Sequence, residues 1–394
     1  MAQYTWERVA PKQDISDLIT NITPDLTLFA NKFGKDTTDQ MEFSWLLDSL
    51  RPPKTNRFAE KIEFTDADTT VDDRIRMKNC VQHFATSYFI TDAQEKAAQY
   101  GVQSELEYQM VKKLKEIAQD FEYAIVNNTS MKLMASGTGN EGLMAGVKYF
   151  VGGEAMTFSA NASTDKITIS GISDSSPFYY LRTGDPVTFY TVNDTLPTGI
   201  TANKTYYVKI TDPLSGGSLS FYLYNSVVDI ETGGSRVDIT AAGSNTNGTN
   251  MVARSNVISV NGPLDESVFN DLMEKVWKVG GQIDTAYMSG KNKRIVSSFT
   301  ANTQKIMDAS NNKLKKVVDI YESDFGVVQT QIHRMYNDDR IELLNPSDWK
   351  VAYFVPFHTE DAPRSGTYKR KFINGMAGLK ARSPYGGGAL INLK

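Results

Sequence analysis

Residues 104–127, with the sequence SELEYQMVKKLKEIAQDFEYAIVN, decide the fold of this 394-residue chain. Ser104 and Glu107 have the spacing of a capping box, in which the hydroxyl and the carboxylate each satisfy a free backbone N–H. Apolar residues then recur at steps of four, four, three, four and four, which places them on one side of a helix. The residues of this stripe are Leu106, Met110, Leu114, Ile117, Phe121 and Ile125. The pattern predicts a helix on the order of 35 Å long that packs its stripe against a core.

The sequence before this helix has the patterns of an arm and an extended loop. The stretch ITNITPDLTLFANKFGK (19–35) carries a helix-start signal, because Thr23 suits the capping position and Pro24 suits the first helical position. The stretch MEFSWLLDSLRPP (41–53) predicts a strand that its two prolines end. The polar residues 54–80 predict a long hairpin or an extended loop.

The composition changes between residues 150 and 260. Only 15 of these 111 residues are charged, against 73 of the other 283, and Ser, Thr, Gly, Asn and Tyr are abundant instead. Short runs typical of strands alternate with turn-forming clusters, which predicts a small β-sandwich or barrel inserted into a host domain. The runs are KITIS (166–170), PVTFYTV (186–192), TYYVKI (205–210), LSFYLYN (219–225) and RVDIT (236–240).

After residue 260 the patterns of helix and strand return. The stretch LDESVFNDLMEKVWKVGG (264–281) predicts a second amphipathic helix that Gly280 ends. Its predicted buried side holds Val268, Phe269, Leu272, Val276 and Val279. A hairpin is predicted with its bend at Ser323–Gly326. Further predicted strands are TAYMSG (285–290), RIELLNP (340–346), DWKVAYFVPF (348–357) and one in the glycine-rich C-terminus.

The composition excludes several classes of protein. Lys and Arg total 42 against 46 Asp and Glu, a net charge of −4, whereas a chain held to DNA by its own charge carries a basic excess. Cys80 is the single cysteine, so no disulfide forms within a chain, which suits assembly in a reducing cytoplasm. The N-terminus lacks the apolar segment of a signal peptide, and no apolar run approaches the ~18 residues of a membrane span.

A nucleotide site is not indicated by the glycines after the long helix. Gly137, Gly139 and Gly142 fit the pattern G-x-G-x-x-G. A dinucleotide site needs a strand before this turn and a helix after it, but here a helix precedes and β-type sequence follows. We therefore interpret these residues as a connector.

No pattern of metal ligands or catalytic residues is found either. The histidines lack the spacing of a zinc helix, and no cysteine pair assists them. An acidic stretch fails the calcium-loop pattern, because Val71 and Met77 stand where that loop needs Gly and Glu. We expect no cofactor and no metal, and we expect that the protein is not an enzyme. The residues concerned are His83, His333 and His358, and Asp66, Asp68, Asp72 and Asp73.

Several strings, taken in order, resemble a known family. They resemble the major capsid proteins of tailed phages with the Hong Kong 97-type fold, and the resemblance extends over the roughly 280 residues outside the 150–260 stretch. They are DLITNITPDLTLFANKFGK, FSWLLDSLRPP, QSELEYQMVKKLKEIAQDFEYAIVNN, FNDLMEKVWKVGGQIDTAYMSGKNKRIVSSFTAN, VVDIYESDFGVVQTQIHRMY and LLNPSDWKVAYFVPFHTE.

This resemblance implies an α+β fold of the Hong Kong 97 type with an added all-β domain, either an immunoglobulin-like sandwich or a small barrel. The β domain is a departure, because most relatives lack it. The implied divisions are an N-arm (1–43), an E-loop (44–85), a peripheral domain (86–149) with its spine helix at about 104–127, the inserted β domain (150–260), an axial domain (261–345) and C-terminal strands that return to the peripheral domain (346–394).

The resemblance also implies a function. Copies would assemble into hexamers and pentamers that form an icosahedral or prolate head in the virion, enclosing double-stranded DNA without reading its sequence. Further implied partners are a portal protein and scaffolding or decoration proteins, with no membrane. The E-loop residues expected between subunits are Lys54, Arg57, Phe58 and Lys61. Some relatives join subunits by Lys–Asn isopeptide bonds, but the sequence places no partner Asn or carboxylate, so we favour noncovalent locking.

Two alternatives stay open at this point. The shell protein of an encapsulin-like nanocompartment shares the fold, although the β domain disfavours it. A phage tail protein explains the β domain but not the long helix or the helix–strand pattern after residue 262. A small-molecule enzyme is the weakest reading, because no site is found.

Overall fold

The computed structural model describes residues 27–48, 57, 60–61, 74–96, 104–135, 141–152, 155–173, 176–299, 320–364, 366–383 and 386–394. The described residues form two compact units. The first takes in those of Met1–Phe43, Asn79–Val147 and Pro346–Ala381, and the second those of Ser44–Lys78, Lys148–Asn345 and Arg382–Lys394. Each unit is therefore assembled from stretches that lie far apart in the chain.

The helices and strands of the described part are labelled in chain order. The helices are α1 (Leu28–Lys32), α2 (Asp92–Lys96), α3 (Glu105–Asn127), α4 (Val147–Gly152), α5 (Val227–Thr232), α6 (Glu266–Lys278) and α7 (Gly290–Phe299). The strands are β1 (Gly34–Thr37), β2 (Glu42–Leu47), β3 (Ile75–Cys80), β4 (Gln82–Thr91), β5 (Met156–Asn161), β6 (Lys166–Ser170), β7 (Pro186–Tyr190), β8 (Thr205–Ser215), β9 (Ser218–Tyr224), β10 (Met251–Arg254), β11 (Val257–Ser259), β12 (Thr285–Met288), β13 (Ile320–Ser323), β14 (Gly326–Ile332), β15 (Ile341–Leu344), β16 (Trp349–Asp361), β17 (Tyr368–Ala381) and β18 (Gly388–Ile391).

The long helix predicted for residues 104–127 is confirmed as α3 (Glu105–Asn127). The Ser104 hydroxyl caps it by accepting a hydrogen bond from the Glu107 N–H at 3.4 Å. Most of the predicted stripe is buried, whereas Leu106 and Met110, in the first two turns, are half-buried. The buried stripe residues are Leu114, Ile117, Phe121 and Ile125.

Helix α3 packs on a four-stranded sheet in the first unit, whose strand order is β1–β16–β17–β4. The Phe121 ring meets the Phe84 ring of β4 edge-on at 5.3 Å and the Phe357 ring of β16 at 5.5 Å between centroids. Gly375 lies directly under this contact, since a Cβ there would come within 2.6 Å of the Phe357 ring. The absent side chain is what lets β17 pass beneath the aromatic cluster.

The second unit contains a six-stranded sheet in the order β11–β18–β15–β12–β14–β13. Helix α6 covers it with four buried residues, Phe269, Leu272, Met273 and Val276. Val268 and Val279, predicted for the same side, are half-buried. Gly280, at a φ of +86°, follows the end of the helix as predicted.

One predicted boundary is wrong at the C-terminus. Strands β16 and β17 lie in the first unit, but β18 does not return there with them. It pairs with β15 and β11 in the second unit. Gly388 lets β18 pack closely against α6, because a Cβ at this residue would come within 2.6 Å of the Val276 side chain.

Residues Met156–Arg254 contain a closed six-stranded barrel in the order β10–β5–β6–β9–β8–β7. Four of the predicted strand runs are present as β6, β7, β8 and β9. The barrel interior has its own cluster of buried apolar side chains. Among the largest of these are Phe158, Phe178, Phe189, Tyr206 and Phe221.

The fifth predicted run, RVDIT (236–240), is not a strand. Arg236 forms an isolated bridge with Tyr224, and Val237 and Ile239 are buried without a continuous ladder. The Asp165 carboxylate accepts the hydrogen bond of the Ile239 N–H at 3.0 Å, so a side chain takes the place of a neighbouring strand. The alternating apolar residues of this run, which predicted a strand, reflect the burial of Val237 and Ile239.

The expected E-loop is described only in part. Strands β2 and β3 form a two-stranded ribbon. β2 confirms the first part of the strand predicted for residues 41–53, but it ends at Leu47, before the prolines, and residues 49–53 lie outside the described residues. Arg57 and Lys61 are exposed. Lys54 and Phe58 lie outside the described residues, as do Asp66, Asp68, Asp72 and Asp73.

The lone cysteine is predicted to be unreactive in the folded chain. Cys80 is fully buried, its thiol donates to the carbonyls of Leu143 and Lys132, and burial raises its pKa to about 11. At about pH 8 almost no thiolate is present, and thiolate is the form that reacts. Iodoacetamide followed by mass spectrometry should label Cys80 only in denaturant. Equal labelling rates in the native and denatured chain would contradict this prediction.

Candidate functional site

Metal ligands do not cluster in the described part of the chain. Within it, no group of three or more His, Cys, Asp or Glu side chains is placed to hold a metal ion. The histidines do not converge: His83 is exposed, His333 is buried against Tyr336, and His358 contacts Glu360 at 2.6 Å. No described helix is both long enough and apolar enough to cross a membrane. Gly137 and Gly139 lie outside the described residues.

A buried carboxylate instead holds helix α1 onto the long helix α3. Glu122, on α3, has no exposed surface, and its two oxygens accept hydrogen bonds from the backbone N–H groups of Phe29 at 2.7 Å and Ala30 at 3.1 Å. These are first-turn amides of α1, where a negative charge is favourable. Phe29 stacks on Phe33 at 4.8 Å, and Phe33 stacks on Trp349 of β16 at 5.6 Å. Helix α3, helix α1 and strand β16 are thus joined by one carboxylate and three aromatic rings.

The role of Glu122 was not predicted from the sequence, although a signal was present. Glu122 follows Phe121 and lies four residues after Ala118 and three before Ile125, on the apolar side of the helix. A carboxylate at such a position needs a buried donor, since an unpaired buried charge is costly. The sequence does not show that the donors are amides more than 90 residues away.

One face of the four-stranded sheet lies opposite α3 and is partly apolar. We call it the open sheet face and define it by Phe89, Tyr368, Arg370, Phe372 and Met376. Along β4 the residues alternate between buried and exposed, and Phe89 on the outer side is 64% exposed. Its ring meets the Tyr368 ring at 6.0 Å, and the Arg370 guanidinium lies 5.5 Å from the centre of the Tyr368 ring. Exposed aromatic and arginine side chains on one face are typical of protein interfaces.

A clasp of polar groups joins the barrel to the rest of the second unit. The Asn203 side chain donates to the Ser259 carbonyl at 2.7 Å and accepts from the Ser259 N–H at 3.1 Å. The Lys275 ammonium on α6 donates to the Asn203 carbonyl at 2.5 Å. Burial lowers the pKa of Lys275 to about 8, with Lys278 acting in the same direction and Asp271 and Glu274 opposing it. The clasp therefore includes a cation that has lost much of its hydration.

A second polar cluster lies at the root of the barrel. The carboxylate of Glu342 is fully buried and accepts hydrogen bonds from the Tyr336 hydroxyl and, at 2.6 Å, from Arg340. The Arg340 guanidinium also donates to the Lys148 carbonyl at 3.4 Å. Burial, followed by the charge of Glu342, raises the pKa of Tyr336 well above its ordinary range. The cluster fits a structural role, because every group has a partner.

Comparison with known proteins gives a consistent assignment. The sequence model of the SU10 major capsid protein family matches residues 1–394. The major capsid protein of Escherichia phage Phieco32 is 22% identical over 393 residues, covering 98% of this chain and 96% of that protein. The solved capsid asymmetric unit of cyanophage A-1(L) superposes with a TM-score of 0.53 and 8% identity, over 100% of this chain and 96% of that chain. The last comparison shows a shared α+β fold.

Replacement of Glu122 should loosen the attachment of α1 to α3. In Glu122→Ala the N–H groups of Phe29 and Ala30 lose a charged acceptor, a hydrogen bond worth about 1.5–3 kcal/mol. Hydrogen exchange of the peptide containing them, followed by mass spectrometry, should accelerate at least about tenfold. Glu116→Ala is the matched control, because Glu116 forms a partly exposed ion pair with Lys113 at 2.6 Å. Equal exchange in the two variants would refute the anchoring role.

Because of Lys275, the free energy of unfolding should change with pH in the alkaline range. The folded-state pKa of about 8 lies below the ordinary value of 10.5, so the unfolded chain binds more protons between these values. The free energy of unfolding should therefore rise with pH, by about 2 kcal/mol between about pH 7.5 and 9.5. Urea unfolding should show this rise in wild type and in Lys278→Met, but not in Lys275→Met. A Lys275→Met curve parallel to wild type would count against the assignment.

Proposed function

This chain belongs to the SU10 major capsid protein family, and on that basis we propose that it is the shell-building subunit of a phage head, located in the virion. The observation that carries the proposal is the family match over residues 1–394. The match favours a head protein over both a nanocompartment shell and a tail protein. It also assigns the chain to a structural class of protein.

We infer that copies associate head to tail into hexamers and pentamers, which together close a shell around double-stranded DNA. Head-to-tail contacts generate rings when the rotation between copies closes. The net charge of −4 suits a container that does not grip its contents. A portal protein and scaffolding or decoration proteins are the further partners that this role implies.

The mapping onto Hong Kong 97-type regions is also part of the proposal. The first unit would correspond to the peripheral domain with α3 as its spine helix, and residues 1–43 to the N-arm. The six-stranded sheet of the second unit would belong to the axial domain, which now includes β18. Residues 44–85 would form the E-loop that reaches onto a neighbouring copy, with Arg57 and Lys61 exposed for that contact.

The open sheet face is the surface that we propose is covered by a neighbouring copy. Its apolar side chains lie on the side of the sheet away from α3, so the subunit alone leaves them partly in water. Burying such a patch against a second copy supplies a favourable free energy of roughly 25 cal/mol per Å². Head subunits of this kind need interfaces above about 1,000 Å² in total.

We propose that the barrel is an insertion that projects from the shell or bridges capsomers. Its interior cluster of apolar side chains is separate from the cluster under the six-stranded sheet. The orientation of the barrel would then be fixed by two sets of contacts. These are the clasp of Asn203, Ser259 and Lys275 and the apolar cluster of Tyr190, Ala253 and Val257.

Electron microscopy of the purified chain tests the function directly. Closed icosahedral or prolate shells are the expected result. Small empty cages would favour the nanocompartment, and tubes would favour the tail protein.

The variant Phe89→Asp should prevent assembly without unfolding the subunit. Phe89 is exposed in the single chain, so the change is tolerated there, but a carboxylate buried unpaired in an interface costs several kcal/mol. Sedimentation should show subunits or capsomers in place of particles. The control is Val228→Asp, at an exposed site on α5 of the barrel, which should still form particles. A wild-type yield of particles from Phe89→Asp would exclude the open sheet face as an interface.

A further inference from the structure

A half-enclosed cleft of about 520 Å³ lies in the second unit, where helix α6 ends near the β13–β14 hairpin. Met273, Ile283 and Val328 are the aliphatic residues among those that line it. Trp277 and Phe325 form the walls, with ring centroids 6.0 Å apart. Trp277 is 61% exposed, although Trp is the largest side-chain type and is enriched at protein interfaces.

The rim of the cleft is negative. Asp284 lies on it and is exposed, and its carboxylate accepts a hydrogen bond from the adjacent Thr285 hydroxyl at 3.3 Å. Gly281, also on the rim, closes the C-terminal end of α6 by donating its N–H to the Val276 carbonyl at 2.9 Å. The C-terminal end of a helix carries a partial negative charge, which adds to that of the carboxylate.

The lysines in the last turn of α6 are engaged elsewhere. Lys275 donates to the Asn203 carbonyl at 2.5 Å, and Lys278 pairs with Glu274 at 2.5 Å. The cleft therefore combines exposed aromatic rings with a carboxylate that neither of these cations neutralises.

We propose that this cleft receives a basic side chain, best an arginine, from a second copy of the chain. The inference rests on the proposed shell function, because it makes a second copy the partner. A cation is attracted to the face of an aromatic ring, and Trp is the strongest such ring. A planar guanidinium can stack on Trp277 while it donates hydrogen bonds to Asp284, which an ammonium does less well. The same chain already uses this contact, since the Arg236 guanidinium lies 4.7 Å from the centre of the Tyr222 ring.

The test compares the protein concentration at which half of the full-length chain has assembled into particles. Asp284→Asn removes the charge and keeps the size, and Trp277→Leu keeps an apolar side chain but removes the ring. Each should raise that concentration about tenfold. The double variant should raise it by less than the product of the two single effects, because both groups bind one cation. Circular dichroism of the unassembled variants should match wild type, since both residues are exposed.

The control is Asp324→Asn, which removes the same charge from an exposed position beside Phe325 that does not line the cleft. It should assemble like wild type. Assembly of Asp284→Asn at the wild-type concentration, or equal effects of Asp284→Asn and Asp324→Asn, would overturn the proposed cation site and leave the shell function standing. Failure of the wild-type chain itself to form shells would instead count against the shell function and with it this inference.

Discussion

The contact of Phe121 with Phe84 and Phe357 is the interaction on which the first unit depends. The three rings belong to α3, β4 and β16, and their centroids lie 5.3 and 5.5 Å apart in the two pairs that include Phe121. Because β16 lies more than 200 residues after α3, burial of this one ring requires the chain to leave the first unit and return to it. The longest stretch of the second unit, Lys148–Asn345, occupies the intervening sequence. The two-unit organisation thus follows from where the apolar residues stand in the chain.

The sequence predicted the elements whose signals are local. The capping Ser104, the stripe of α3 and the end of α6 at Gly280 all depend on residues a few positions apart, and all are present. Strand β17 was not identified, because its charged start and its two glycines do not resemble a strand. Gly375 and Gly378 are there because the Phe357 and Phe43 rings occupy the space of their side chains. That requirement exists only in the folded state.

The candidate surfaces were beyond sequence reasoning for a related reason. Phe89 and Trp277 are apolar, so the sequence alone favours burial for both of them. Only the folded sheet and helix show that they are exposed. Glu122 shows the converse, because its burial could be read from the helical period while its amide partners could not. A resemblance to head proteins supplied the function that no single motif carried, and the family match over residues 1–394 supports that assignment.

The placement of the last strands has a consequence for how the chain is made. β16 and β17 are the two central strands of one sheet, and β18 lies between β11 and β15 in the other. Neither sheet is complete until its strands between residues 349 and 391 have left the ribosome. The barrel is contiguous in sequence, so it can fold while synthesis continues. Nascent chains therefore pass through a period with unpaired strand edges, when association with other nascent chains competes with folding.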